Sequence, residues 1–281
     1  MQAPTFVELR RGVLAVSVLH DVDVDLGQHG VRLPGTPCVS ISWTECRRAL
    51  AGTDPESEVG RERLAGWLLA RRWAADAGRE HLALALRPVG LPVDHALHPG
   101  LDWVRVRVMG DALDLGLGAA GLDPADPDRV VLLPVPALDA AGIDPAAVWV
   151  PAARELERLG TLAAERLRQD PRGQLRPLGD CDVVTLLGSR SLRAALADAA
   201  GGMAAVVVPM RRRGWTRLAL IDPAFGAAAA AATSAADRGF PRPLLLTADE
   251  LTVVPEGGRP EAIPLRDPAA DAPWQRDVLY R

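Results

Sequence analysis

Residues 103–118 read WVRVRVMGDALDLGLG, and they decide the local architecture. Gly110-Asp111 separates two runs of alternating side chains, the mark of a two-residue hairpin with glycine first, as a type II′ turn prefers. That register opposes Met109 to Ala112 next to the turn, and then Val108 to Leu113, Val106 to Leu115 and Val104 to Leu117 on one face. On the other face it opposes Arg107 to Asp114, Arg105 to Gly116 and Trp103 to Gly118. One face is aliphatic throughout. The other carries an ion pair and an aromatic ring beside a glycine, pairings that favour antiparallel strands.

Downstream, GLDPADPDR (121–129) is rich in aspartate and proline and marks a boundary between two closely associated halves, 1–122 and 123–281. Asp144-Pro145 opens a helix over 146–168, which Pro151 should kink or restart. The last third reads as DVVTLL (182–187, strand), SLRAALADAA (191–200, helix), AAVVV (204–208, strand) and TRLALI (216–221, strand). An alanine-rich helix (225–236), strands PLLLT (243–247) and ELTVV (250–254), and EAIPL (261–265) complete it. Strands adjacent in sequence among helices predict an α+β fold with mixed or largely antiparallel sheets.

Upstream, Leu14, Val16, Val18, His20, Val22, Val24 and Leu26 alternate with residues that pass from apolar to Asp21, Asp23 and Asp25. Period two over this length predicts a strand that bends near His20. Ser42-Trp43-Thr44-Glu45 is a capping box, so a short helix runs to Ala51 and stops at Gly52. Asp54-Pro55 opens a longer helix to about Ala77, with Leu64, Trp67, Leu68 and Arg71 along one side.

The 281 residues are 48% hydrophobic and 24% charged, enough to fill a core. A formal charge of −4 disfavours nucleic-acid binding, which needs phosphate-neutralising cations. The chain has no lysine, which removes Schiff-base and P-loop chemistry. Cys38, Cys46 and Cys181 form no C-x-x-C pair and fit a reducing compartment. Arg10-Arg11 followed by GVLAVSVL resembles the start of a signal peptide, but the run is short and no small-residue cleavage site follows. No stretch has the length of a membrane span, so a cytoplasmic location without a membrane partner is expected.

HDVDVDLGQHG (20–30) holds the densest set of candidate metal ligands. On one strand face Asp21, Asp23 and Asp25 would stand about 6.7 Å apart in succession, so one ion could draw in two but not all three. The EF-hand pattern fails, with Leu26 and Arg32 where glycine and glutamate belong. The metal reading therefore combines Asp21, Asp23 and His29, with His95-x-x-His98 as distant help, around a divalent ion. Against it stand a solvated acidic strand face and a surface loop ending in Pro99-Gly100. LLGSRSLRAAL (186–196) puts Ser189, Arg190 and Ser191 at a helix start that can hold an anion. It lacks both the nucleophile-elbow and the dinucleotide-binding glycine patterns. MRRRGW (210–215) offers Arg211 and Arg213 in a hairpin turn to an acidic partner or a phosphate. Cys181 stands between Asp180 and Asp182, which should raise its thiol pKa and keep it unreactive.

WVRVRVMGDALDLGLG, LGDCDVVTLLGSRSLRAAL and PMRRRGWTRLALIDPAF resemble hypothetical proteins of GC-rich bacteria, over most of the chain. The resemblance implies a bacterial cytoplasmic origin and brings no activity, cofactor or catalytic residue. The leading expectation is a non-enzymatic binding or interaction protein, without a cofactor, whose partner is another protein or a small anion. The second is a metal-dependent hydrolase built on Asp21, Asp23 and His29. A third is a small-molecule binder with an apolar pocket between the halves.

Overall fold

The computed structural model describes residues 4–170, 172–216, 228–229 and 231–255. In chain order the elements are α1 (Phe6–His20), β1 (Asp25–Leu26), β2 (Gly30–Leu33), β3 (Val39–Ser42), α2 (Trp43–Leu50), α3 (Glu58–Ala85) and β4 (Leu86–Pro92). Then follow β5 (Arg105–Arg107), β6 (Leu113–Ala119), β7 (Val131–Leu132), α4 (Val135–Ala140), α5 (Pro145–Gln169) and β8 (Gln174–Leu175). The series ends with α6 (Val183–Leu186), α7 (Arg190–Ala199), β9 (Ala204–Met210), β10 (Arg213–Trp215), β11 (Leu244–Leu246) and β12 (Leu251–Val253). The strands form three sheets: β1-β2-β3, β4-β6-β5 with β7 also on β6, and β12-β11-β9-β10-β8. Every ladder within them is antiparallel, and the fold is α+β. No helix among the described residues is long and apolar enough to cross a membrane.

β6 is the strand on which the interior converges, and all seven of its residues are buried. Leu113 and Leu115 join the apolar cluster of α5, α6, α7, β9 and β11, while Leu117 and Ala119 join that of α3, β7 and α4. Leu122, at one end of the Asp/Pro-rich loop, packs in the same cluster as Val131 and Leu133 beyond it. The first three strands close a separate cluster with α1, α2 and the start of α3, through Leu9, Val13, Val16, Ile41, Leu64 and Leu68.

The β5–β6 register opposes Arg105 to Gly116, Val106 to Leu115 and Arg107 to Asp114, as the alternation predicts. Its two ends depart from expectation because distant segments compete for the same backbone groups. At the tip the turn is not a two-residue type II′. Asp111 N–H donates to the Val108 carbonyl (3.3 Å), Gly110 takes φ +100° and Asp111 φ +57°. Met109 does not pair with Ala112, because its carbonyl accepts from Leu251 N–H (2.8 Å) and the Ala112 carbonyl accepts from Val93 (3.0 Å). A Cβ on Gly110 would come 2.2 Å from the Leu251 carbonyl oxygen, so only glycine fits there. At the open end Gly118 pairs with Leu132 instead of Trp103, and Trp103 bridges to Pro134.

The expected strand over 14–26 is a helix to His20. Thr5 and Glu8 form a reciprocal capping box, and Leu9, Gly12, Val13 and Val16 make the buried face. Leu9, Val13 and Val16 recur at helical spacing, and burying that stripe outweighs the β preference of a valine-rich run. DVVTLL is likewise α6 and not a strand. Asp182 caps it by accepting from Thr185 N–H (2.7 Å), and a fully buried run shows no period to separate helix from strand.

α2 has the Ser42–Glu45 capping box and ends at Ala51 in the left-handed region, beside Gly52. α3 starts from Ser57 and not from Asp54-Pro55, and it continues past Ala77 to Ala85 with a break in helical geometry at Gly78. α5 runs unbroken through Pro151. Most of TRLALI, part of the alanine-rich run and all of EAIPL lie outside the described residues.

Candidate functional site

Asp114 is the center of the most charged part of the interior. It has no exposed surface, yet three cationic or polar side chains reach it. Arg107, opposite it in the ladder, donates from Nε to Oδ1 (2.9 Å) and from Nη2 to Oδ2 (3.1 Å), a two-pronged bond that planar guanidinium and carboxylate groups favour. Arg105 Nε stands 3.0 Å from Oδ2, and His98 Nε2 is 3.0 Å from the same oxygen. Burial pushes the Asp114 pKa up. The bonds from His98 and Arg107 and the charges of Arg105 and Arg107 outweigh it and hold the carboxyl at about 2. Gly116, two residues on, leaves room for the Trp103 ring, which a Cβ would meet at 2.3 Å. Trp103 in turn donates to the Leu117 carbonyl (2.8 Å) and stands edge-on to His98.

The two histidines of His95-x-x-His98 share one local device. His95 Nδ1 accepts from Leu97 N–H (3.1 Å), and His98 Nδ1 accepts from Gly100 N–H (3.0 Å). Each ring closes a turn with the backbone two residues on, and Pro99-Gly100 supports the second turn. These bonds assign the proton to Nε2 in both rings. His98 uses that proton on Asp114, so neither of its nitrogens presents a lone pair to a metal or a substrate. His95 is buried, and burial first, then Arg211 and His98, lowers its pKa to about 3. It is a neutral ring wedged between turns, not a loop-surface ligand.

The helix start at Ser189 does hold an anion, and the anion is the chain's own Glu157 from α5. Ser189 Oγ donates to Oε2 (2.9 Å), Arg190 N–H to Oε1 (2.7 Å) and Ser191 N–H to Oε2 (2.9 Å). Burial raises the Glu157 pKa, but these donors more than compensate and the net shift is downward. The Arg190 side chain extends to Asp249 (2.7 Å) at the surface.

Arg211 is similarly engaged. Its Nε and Nη2 meet Asp182 Oδ2 at 2.7 and 2.6 Å, and its carbonyl accepts from Val183 N–H (2.8 Å), so it fastens the β9–β10 turn to α6. Arg213 is exposed and has no ion pair among the described residues. Cys181 is buried, and burial, with Asp182 and Asp180, pushes its thiol up to about 12, in the direction its neighbours predict.

Asp21, Asp23 and His29 are exposed and lie on no common strand face. Asp21 is the left-handed C-cap of α1, Asp23 follows it before β1, and His29 sits in the turn between β1 and β2. Among the described residues no three His, Cys, Asp or Glu side chains are grouped to hold a metal.

The sequence pairs Arg107 with Asp114 but not His98 or Arg105 with it, and it carries no signal for Glu157 at a helix start 32 residues further on. An open groove of about 430 Å³ lies along α5 between Trp149, Val150, Ala153, Arg154 and Glu157. It belongs to one helix and not to a seam between halves.

A different surface emerges on α1. Leu9, Val13 and Val16 face the core with no exposed area, while Val7, Leu14 and Val18 on the opposite side are 56%, 47% and 82% exposed. Successive residues turn by about 100°, so these three and Arg11 form one stripe directly opposite the buried one. Phe6 and Leu19, also exposed, lie to either side of the buried stripe, and Phe6 packs edge-on against Trp43. No family model matches the chain, and no curated protein or solved structure matches it significantly.

Proposed function

We propose that this chain is a non-enzymatic binding protein whose contact surface is the outward face of α1. The observation that carries the reading is the stripe of Val7, Leu14 and Val18, with Arg11 among them, facing water opposite the buried apolar stripe. Helices apolar on both sides are normally covered on both sides. A contiguous apolar surface on a folded protein is the usual sign of a partner site. Several of the polar groups that first suggested chemistry are engaged within the fold: His98 with Asp114, the Ser189–Ser191 helix start with Glu157, and Arg211 with Asp182.

A photo-activated cross-linking residue at position 18, in cells of the native host, tests the reading. The expected result is a discrete cross-linked species that is absent when the same residue replaces exposed Glu165 on α5. Equal labelling at both positions, or none at position 18, would overturn it. A second surface, the exposed Arg213 at the start of β10, suits a small anion or an acidic segment. Arg213→Ala should weaken pull-down of such a partner while leaving the α1 cross-link intact.

A further inference from the structure

We propose that the occupant of the α1 face is the α1 helix of a second copy of this chain, packed antiparallel about a two-fold axis level with the midpoint between Leu14 and Val18. The inference rests on the partner-binding reading above and names its partner. Val7, Arg11, Leu14, Val18 and Asp21 are spaced by alternating steps of four and three residues. That is the spacing of a helix-to-helix seam, which keeps the same stripe toward a neighbouring helix.

Charge selects the direction. The N-terminal half of α1 carries Arg10 and Arg11, while its C-terminal end runs into Asp21, Asp23 and Asp25. Arg11 and Asp21 lie equally far from the midpoint between Leu14 and Val18, each about 7.5 Å along the axis. In an antiparallel pair, therefore, Leu14 of each copy meets Val18 of the other, and Arg11 of each copy comes level with Asp21 of the other. A parallel pair would set Arg11 against Arg11 and acid against acid.

Arg11 is available for this role. Its contact with Glu56 is long (3.7 Å), and its side chain is 69% exposed. Asp21 is exposed as the helix C-cap, and its backbone N–H is already satisfied by Ser17, so its carboxylate can face outward. A membrane surface fits less well, because interfacial helices present basic flanks to anionic lipid and here three aspartates follow the apolar stripe. Two-fold pairing of one patch with itself also gives a closed assembly that does not propagate.

Sedimentation velocity on the full chain, from about 1 µM to about 1 mM, tests the proposal. Concentration-dependent dimers are expected, and Val18→Glu should abolish them; that side chain is largely in water, so circular dichroism should be unchanged. Arg11→Glu and Asp21→Arg should each weaken association about tenfold, and the combined Arg11→Glu/Asp21→Arg variant should recover it. A chain monomeric throughout, a dimer indifferent to Val18→Glu, or failure of the double variant to recover would each overturn the pairing. Vesicles of phosphatidylcholine and phosphatidylserine provide a further arm. A monomer that binds them through Val18 overturns the dimer in favour of a lipid surface. A monomer that still cross-links at position 18 to a different protein overturns self-pairing but leaves the binding-protein reading standing.

Discussion

The β5–β6 hairpin and α1 invert the usual distribution of polar and apolar groups in opposite ways. In the hairpin a carboxylate has been carried fully into the interior. In α1 a valine stands 82% exposed. The first inversion is resolved inside the molecule, because Asp114 has Arg105, Arg107 and His98 around it and its charge is balanced where it sits. The second is not resolved by anything described in the chain. A buried charge with partners speaks of architecture, whereas an apolar stripe in water speaks of something still to arrive. The contrast is why the proposed contact surface rests on three aliphatic residues and not on the residues richest in chemistry.

The sharpest way to break the contrast is to remove the inner charge. Asp114→Ala leaves two guanidinium groups and the buried His98 N–H without their acceptor, and should cost about 3 kcal/mol in urea-induced unfolding. A change under about 1 kcal/mol would mean that the network is incidental.

The next effect appears with pH. His95 is held neutral by a folded-state pKa of about 3 against an ordinary value of 6.5. The unfolded chain therefore binds the extra proton first, and stability should fall as pH drops from about 6.5 toward about 3. His95→Gln removes that titration, so its urea midpoint should fall less than that of the wild type between those limits. Asp114 adds a lower window: its carboxyl is depressed from 3.8 to about 2, so its contribution is present above pH 4 and is lost as pH falls through about 2.

A smaller effect tests the outer element. Thr5→Ala breaks the capping box that starts α1 and should cost about 1 kcal/mol in thermal or urea unfolding. Smallest of all, Val18→Ser should leave monomer stability within about 0.5 kcal/mol, since little burial is lost. A larger loss would place Val18 inside the fold and end the contrast.

How much of this could be read beforehand follows the range of the forces. The central register of the hairpin was legible because its signals are local: a Gly-Asp turn and an Arg107–Asp114 pair across the ladder. Its tip was not, because Leu251 and Val93 take the backbone groups of Met109 and Ala112 from far along the chain. The valine-rich run of α1 imitates a strand, and the evidence against that reading lay just upstream, in Thr5 and Glu8. At the candidate site, the Arg107 bond to Asp114 was visible in the spacing of two residues. The capture of Glu157 by Ser189, Arg190 and Ser191 was not, since nothing near residue 157 announces it. The short α6 remained hidden because a wholly buried segment loses the polar half of its pattern.

The hydrogen bond from Leu251 to Met109 has a consequence for biosynthesis. The hairpin is translated early, yet the groups that close its tip arrive half the chain later. Until β12 has emerged, the Met109 carbonyl has no partner and the edge of the sheet stays open at Gly110. A nascent chain halted before Leu251 would thus have all four strands of the β4-β6-β5-β7 sheet, which end at Leu132, and yet present the Met109 end of the hairpin to the ribosome's surroundings without its Leu251 contact.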